Sequence, residues 1–220
     1  MSKATEQSYS SEEQTRLARH EAAHFVVAWA VGSMIYRITI YPTARQCRND
    51  PTTGIQAETS SPVNCSPFQH VLIDLAGPVA DCLGQDNGHV LKHQKVWIDK
   101  AMESITSGAP LHADDGDWDK ALRILCEVGF DITDPAQFQK GVCFYLDAVR
   151  AILTLCQAQW QETTEYLIAN ERIGYAREPY PTEAEVLMSR WEDDEGDTPQ
   201  KVRECVAKYR SQAECLVFED

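Results

Sequence analysis

The stretch Ser10-Ser11-Glu12-Glu13-Gln14-Thr15-Arg16-Leu17-Ala18-Arg19-His20-Glu21-Ala22-Ala23-His24-Phe25-Val26-Val27-Ala28-Trp29 decides how the rest of the chain is read. Ser10 and Glu13 stand three apart, the spacing at which an N-cap hydroxyl and a following glutamate satisfy each other's backbone amides. Leu17, His20, His24, Val27 and Val31 then recur at helical spacing, and Gly32 supplies a stop. These features predict a helix from Ser10 to about Val31. Within it, His20 and His24 lie one turn apart, so both imidazoles leave the same face and can grip one ion. Glu21 projects about 100° further around the axis. From there it can reach a metal-activated water as general base without ligating the metal. A zinc ion suits this HExxH pattern, because it lowers the pKa of its water toward neutrality and polarises a carbonyl. A lone histidine on such a helix would read as a core or surface residue; the complete motif on a capped helix reads as a site.

Working outward, Ile35 to Tyr41 is β-branched and aromatic and reads as a strand ending at Pro42. Thr43 to Pro67 carries Asn49-Asp50-Pro51, Gly54 and Ser60-Ser61-Pro62, and reads as loop with a short strand near Gly54 to Ala57. Val71 to Leu83 is apolar and rich in small residues, as expected of a buried helix. Further helices are expected over Val90 to Ile105, Asp114 to Val128, Gln137 to Ala169 and Glu183 to Trp191, with Ser107 to Pro110 as a breaker. Phe138, Val142, Tyr145, Val149, Ile152, Cys156 and Trp160 form the apolar stripe of the longest of these, an ordinary core face. Residues 1–9 read as disordered. Residues 192–198 read as an acidic linker, whose spacing does not fit a calcium loop, before a short C-terminal helix that starts at Pro199.

Composition narrows the partners. The chain has 220 residues and a formal net charge of −14, which repels a phosphate backbone and an anionic membrane surface. Met1 to Ser11 lacks the apolar core of a signal peptide, and Phe25 to Val31 is too short to span a bilayer. None of the eight cysteines forms a CxxC pair, so they read as reduced, largely buried thiols. A cytoplasmic protein without nucleic-acid partner or membrane span is expected.

A catalytic zinc needs a third protein ligand and an open position. His70, His89, His93 and His112 are candidates, as is the acidic cluster Asp114-Asp115-Gly116-Asp117-Trp118-Asp119. Spacing alone leaves the choice open.

Three blocks in the same order resemble the peptidase domain of the FtsH family, membrane-anchored ATP-dependent zinc proteases. Arg16 to Trp29 is similar to that family's HEAGH helix, followed by Ile38-Thr39-Ile40-Tyr41-Pro42, similar to its strand ending in IxP. Asp74-Leu75-Ala76-Gly77-Pro78-Val79-Ala80-Asp81 resembles its LGGRAAE helix. Asp115-Gly116-Asp117-Trp118-Asp119-Lys120-Ala121 resembles its SNDLxKA helix start. Trp160 to Ile173 is loosely similar to its final helix and turn, so that the likeness covers residues 10–190. The resemblance implies Asp117 as the third zinc ligand and Ile35 to Tyr41 as a sheet edge that takes substrate as an added strand. Apart from the resemblance, histidine ligands need acceptors that fix their tautomers, a place that an acidic side chain such as Asp81 could take.

The sequence also departs from that pattern. Ala23 replaces the motif glycine, and Pro78 replaces an arginine and implies a kink or a helix start. No GxxxxGK[ST] phosphate loop occurs.

The expectation is therefore one domain over residues 1–220, mainly α: a helical zincin-like metallopeptidase domain with a small β-strand or hairpin element. His20, His24 and Asp117 would hold zinc and Glu21 would act as base on unfolded or short polypeptides, in a homo-oligomer or beside a partner ATPase. Two other readings stand. One is a catalytically weak zinc-binding adaptor; the other is an HExxH peptidase with a glutamate or histidine third ligand.

Overall fold

The computed structural model describes residues 10–33, 35, 37–46, 54–59, 64–110, 115–174, 183–192 and 198–217. The expected helix is α1 (Ser11–Ala30), with Ser10 and Glu13 forming the reciprocal capping box. Gly32 lies just past its end at φ +74°, the left-handed conformation that favours glycine. From Leu17 onward α1 is buried on nearly every side: Ala18, Ala22, Ala23 and Val26 have no exposed surface. It is therefore a central helix rather than an amphipathic surface one. Alanines at these positions let neighbouring elements approach closely.

A three-stranded antiparallel sheet, in the order β2-β1-β3, covers part of α1. Its strands are β1 (Arg37–Gln46), β2 (Gly54–Thr59) and β3 (Arg172–Gly174). β1 runs past Pro42, where it was expected to end, and the β1–β2 register shifts between Ile40 and Arg45. Proline cannot donate to a ladder, so a strand tolerates it where regular pairing is interrupted. The sheet also corrects the expected substrate edge. β1 pairs with β2 on one side and β3 on the other, so it is the central strand. Thr59 and Ile173 both stand opposite Ile38, and residues directly opposed across an antiparallel ladder share a face. Ile38 and Ile173 are buried there.

Small helices follow. Ser66 and Gln69 form a second capping box at the start of α2 (Pro67–Asp74), with Pro67 in the first turn. The helix expected over Val71 to Leu83 is broken at Leu75, and α3 (Ala76–Ala80) follows. Pro78 has no N–H to offer the carbonyl of Asp74, which explains a break at this point. Val90 to Ile105 likewise resolves into α4 (Asn87–His93) and α5 (Lys95–Thr106), meeting at the buried Gln94. α6 (Asp117–Glu127) starts three residues later than expected; Asp114 lies outside the described residues.

The long periodic segment is two helices, α7 (Pro135–Leu155) and α8 (Gln157–Asn170), bent by 81° at Cys156. No proline or glycine marks the bend. Tertiary contacts override the periodicity: the turn lays α8 along α1, where the Trp160 Nε1–H donates to the Arg19 carbonyl at 2.8 Å. The apolar stripe expected of this segment is in the core, Val142, Tyr145, Val149, Ile152, Cys156 and Trp160 being buried. Glu171, at φ +60°, ends α8 and turns the chain into β3.

α9 (Glu183–Glu192) matches its expectation. α10 (Thr198–Val217) has 20 residues and is not short; it packs on α7 and α1. The two expected irregular segments, residues 1–9 and most of the acidic 192–198 run, lie outside the described residues. The protein is mainly helical. No single described helix is long and apolar enough to cross a membrane. Every described cysteine is a free thiol, and Cys47 lies outside the described residues.

Candidate metal centre

Two helices build the site. α1 projects His20 and His24 from one face, their ring centroids 5.1 Å apart. The first turn of α6 brings Asp117 against them across 97 residues of sequence. Asp117 Oδ2 lies 3.0 Å from His20 Nε2 and 3.4 Å from His24 Nε2. One ligand atom from each of the three residues falls within 4.8 Å of the other two. Ligands in a tetrahedral zinc site with bonds of 2.0–2.1 Å lie about 3.3 Å apart, so the spacing fits that ion. Two imidazole nitrogens and a carboxylate oxygen also match its preferences.

The opposite nitrogen of each ring is held from behind. His24 Nδ1–H donates to the Ile73 carbonyl at 2.6 Å, and His20 Nδ1–H to Asp81 Oδ2 at 3.2 Å. An acceptor at Nδ1 fixes the proton there and leaves Nε2 as the lone-pair donor on both rings. Asp81, named from sequence only as a suggested partner, occupies that supporting position. Arg16 stands 3.7 Å beyond it, half exposed.

The break between α2 and α3 is part of this construction. It presents the Ile73 carbonyl to His24 and brings the Gly77 backbone flat against the His20 ring. A β-carbon at position 77 would stand 2.2 Å from Nε2 of His20. The glycine was legible as part of a motif, but its role as the wall behind a ligand ring was not.

Electrostatics follow from the crowding. Burial works against a charge on His20. The hydrogen bonds that its ring donates to Asp117 and Asp81 outweigh it and hold the pKa well above the ordinary histidine value. Burial also opposes charge on His24, and the Asp117 carboxylate raises its pKa. Asp117 itself would be pushed up by burial, but the two histidines hold it well below the usual carboxylate range. The trio is thus a charge-paired cluster whose geometry could hold a metal ion. Asp74, at the end of α2, is 5% exposed and its Oδ2 has no hydrogen-bond partner among the described residues. Burial first, and the Asp117 charge second, push its pKa up to about 8.

Glu21 is buried beside this cluster. Its Oε2 accepts a short hydrogen bond from the Thr59 hydroxyl at the end of β2. Thr59 falls in a segment read from sequence as loop, and no spacing signal pointed to it.

The other candidate ligands lie elsewhere. Asp119, two residues from Asp117, is paired with Arg123, which also reaches Ser104. His89 and His93 stack on each other on α4 with centroids 6.1 Å apart. His70, on α2, is drawn below the ordinary histidine pKa by burial and by Lys120. His112 lies outside the described residues. Set against models of known protein families and against curated proteins, the chain matches none.

Proposed function

We propose that the protein is a zinc metallopeptidase that hydrolyses peptide bonds in unfolded or short polypeptides. The observation that carries this reading is the convergence of His20, His24 and Asp117 within 4.8 Å, on rings whose Nδ1 atoms are already committed. His20 and His24 would bind zinc through Nε2 and Asp117 through its carboxylate. When bound, zinc supplies Lewis acidity that makes water nucleophilic near neutral pH and polarises a carbonyl.

The chain's own residues do the rest. Asp81 and Ile73 keep both rings in the ligating tautomer. Glu21, one position along α1 from His20 and about 100° further around the axis, is buried near the ligand trio without being part of it. It takes a proton from the attacking water and returns it to the leaving amine. The buried surroundings strengthen both interactions by excluding solvent. The resemblance to FtsH-type peptidase domains implies the same roles for His20, Glu21, His24 and Asp117.

Purified protein should therefore bind one zinc per chain and cleave casein in a chelator-sensitive way. Glu21→Gln should keep the zinc and lose turnover by orders of magnitude, about 10²-fold or more. Loss of zinc in Glu21→Gln would refute the role given to Glu21. A zinc-loaded protein that cleaves nothing would favour the adaptor reading.

A further inference from the structure

We infer that Thr59 is a positioning residue for Glu21, fixing the rotamer from which the base works; this rests on the peptidase reading above. The sheet dictates the contact. Thr59 closes β2 at the rung shared with Ile38 and Ile173, and all three residues point to the α1 side of the sheet. Ile38 and Ile173 are buried against the core, 0% and 1% exposed, so the rung is anchored by packing. Its third member is the polar one, and its hydroxyl meets Glu21 Oε2.

A threonine suits this place for two reasons. Its β-branched side chain is stiff at χ1 and favours a strand, so the hydroxyl is presented in a defined direction. It also donates a hydrogen bond without bringing charge near the ligand trio. Glutamate has three side-chain torsions, and a buried glutamate with no partner would sample several orientations or leave a carboxylate unsatisfied. The Thr59 bond removes that freedom by holding Oε2, which leaves Oε1 as the oxygen free of that bond and available to the reacting water.

The helix alone cannot do this. The α1 backbone sets where the Glu21 Cα lies, but not where its carboxylate points. The residue comes from a different element, 38 positions away in sequence, so the sheet contributes to the site through this side chain as well as by covering α1.

The test uses the full chain, zinc-loaded, as wild type, Thr59→Val, Thr59→Ser and Glu21→Gln. Valine matches threonine in shape but lacks the hydroxyl. Expected for Thr59→Val is a kcat on casein lower by on the order of tenfold, with KM and zinc content unchanged. Thr59→Ser should restore most of the rate, which a purely structural role for the β-branched side chain would not allow.

Acetohydroxamate gives a readout that needs no turnover, because it chelates the metal and requires an acceptor for its proton. Its affinity should fall in Thr59→Val as in Glu21→Gln, and recover in Thr59→Ser. Equal kcat and equal hydroxamate affinity in wild type and Thr59→Val would overturn the proposal for Thr59 alone. If wild type binds zinc but does not cleave, the peptidase reading falls and the hydroxamate titration decides the Thr59–Glu21 link. A chain that takes no zinc overturns both.

Discussion

Replacing Gly77 with alanine tests the construction of the site more sharply than deleting a ligand. The new β-carbon would stand 2.2 Å from Nε2 and 2.5 Å from Cδ2 and Cε1 of His20. Comfortable contact begins near 3.5 Å, so the ring or the helix must give by about 1 Å. A zinc–nitrogen bond tolerates about 0.2 Å. The ring cannot retreat and keep both its metal position and its 3.2 Å bond to Asp81. Nor can α3 move freely, since all five of its residues are buried and it packs on α1 and α7.

Overpacking of this kind costs about 1–3 kcal/mol, which for a chain of this size lowers Tm by roughly 2–12 °C. Zinc affinity should fall much further, by about 10²-fold, as when supporting contacts to a ligand are lost. The assay is competition for zinc against a chromophoric chelator on stripped protein, alongside thermal unfolding. Gly116→Ala is the control: it adjoins Asp117, has φ −70°, and its β-carbon would meet nothing within 4 Å. Wild-type zinc affinity in Gly77→Ala, or an equal loss in Gly116→Ala, would refute the reasoning.

Zinc binding should strengthen with pH. His20 and His24 have raised pKa values and must each release a proton, whereas Asp117 is ionised throughout. Competition titrations between pH 6 and 8 should show affinity rising by up to about two decades per pH unit until the histidines are neutral. Asp74 binds its proton up to about pH 8 in the folded state and only to about pH 4 when unfolded. Folded zinc-free protein should therefore lose about 1.4 kcal/mol per pH unit from this group as pH rises from 4.5 to 6. Over that range the histidines stay protonated in both states. Urea unfolding of Asp74→Asn should lack this slope, and parallel pH curves would count against it. Asp81→Ala should weaken zinc binding by about 10- to 100-fold, measured by the same chelator competition. Arg16→Ala should change it little, its partly exposed contact with Asp81 being 3.7 Å long.

Local signals were read well from sequence where one short stretch carries the whole cause. The Ser10–Glu13 capping box, the Gly32 stop and the His20–His24 spacing each depend on neighbours a few residues away, and each is found. Asp117 was reached by resemblance, since no local rule links it to a helix 97 residues earlier. The bend at Cys156 was invisible because the apolar stripe continues in phase through it; only the docking of Trp160 on Arg19 explains why the chain turns. The central place of β1 depends on β3, three residues long and beyond α7 and α8, too short to leave a pattern. Thr59 escaped for a related reason: its importance comes from the rung it occupies, and strand register is not written in a single strand.

The distances along the chain between α1 and its partners have a kinetic meaning. Arg19 is bonded to Trp160, 141 residues later, and Trp29 to Glu192, 163 residues later. During synthesis α1 leaves the ribosome ahead of every described element that buries it. Its apolar faces must then wait for closure of long loops, the slowest kind of contact to form. A nascent chain in that interval exposes a sticky, alanine- and valine-rich helix, the sort of surface that recruits chaperones or aggregates. The helix that carries both histidines is laid down early, and its burial is complete only once α8 and α9 have arrived.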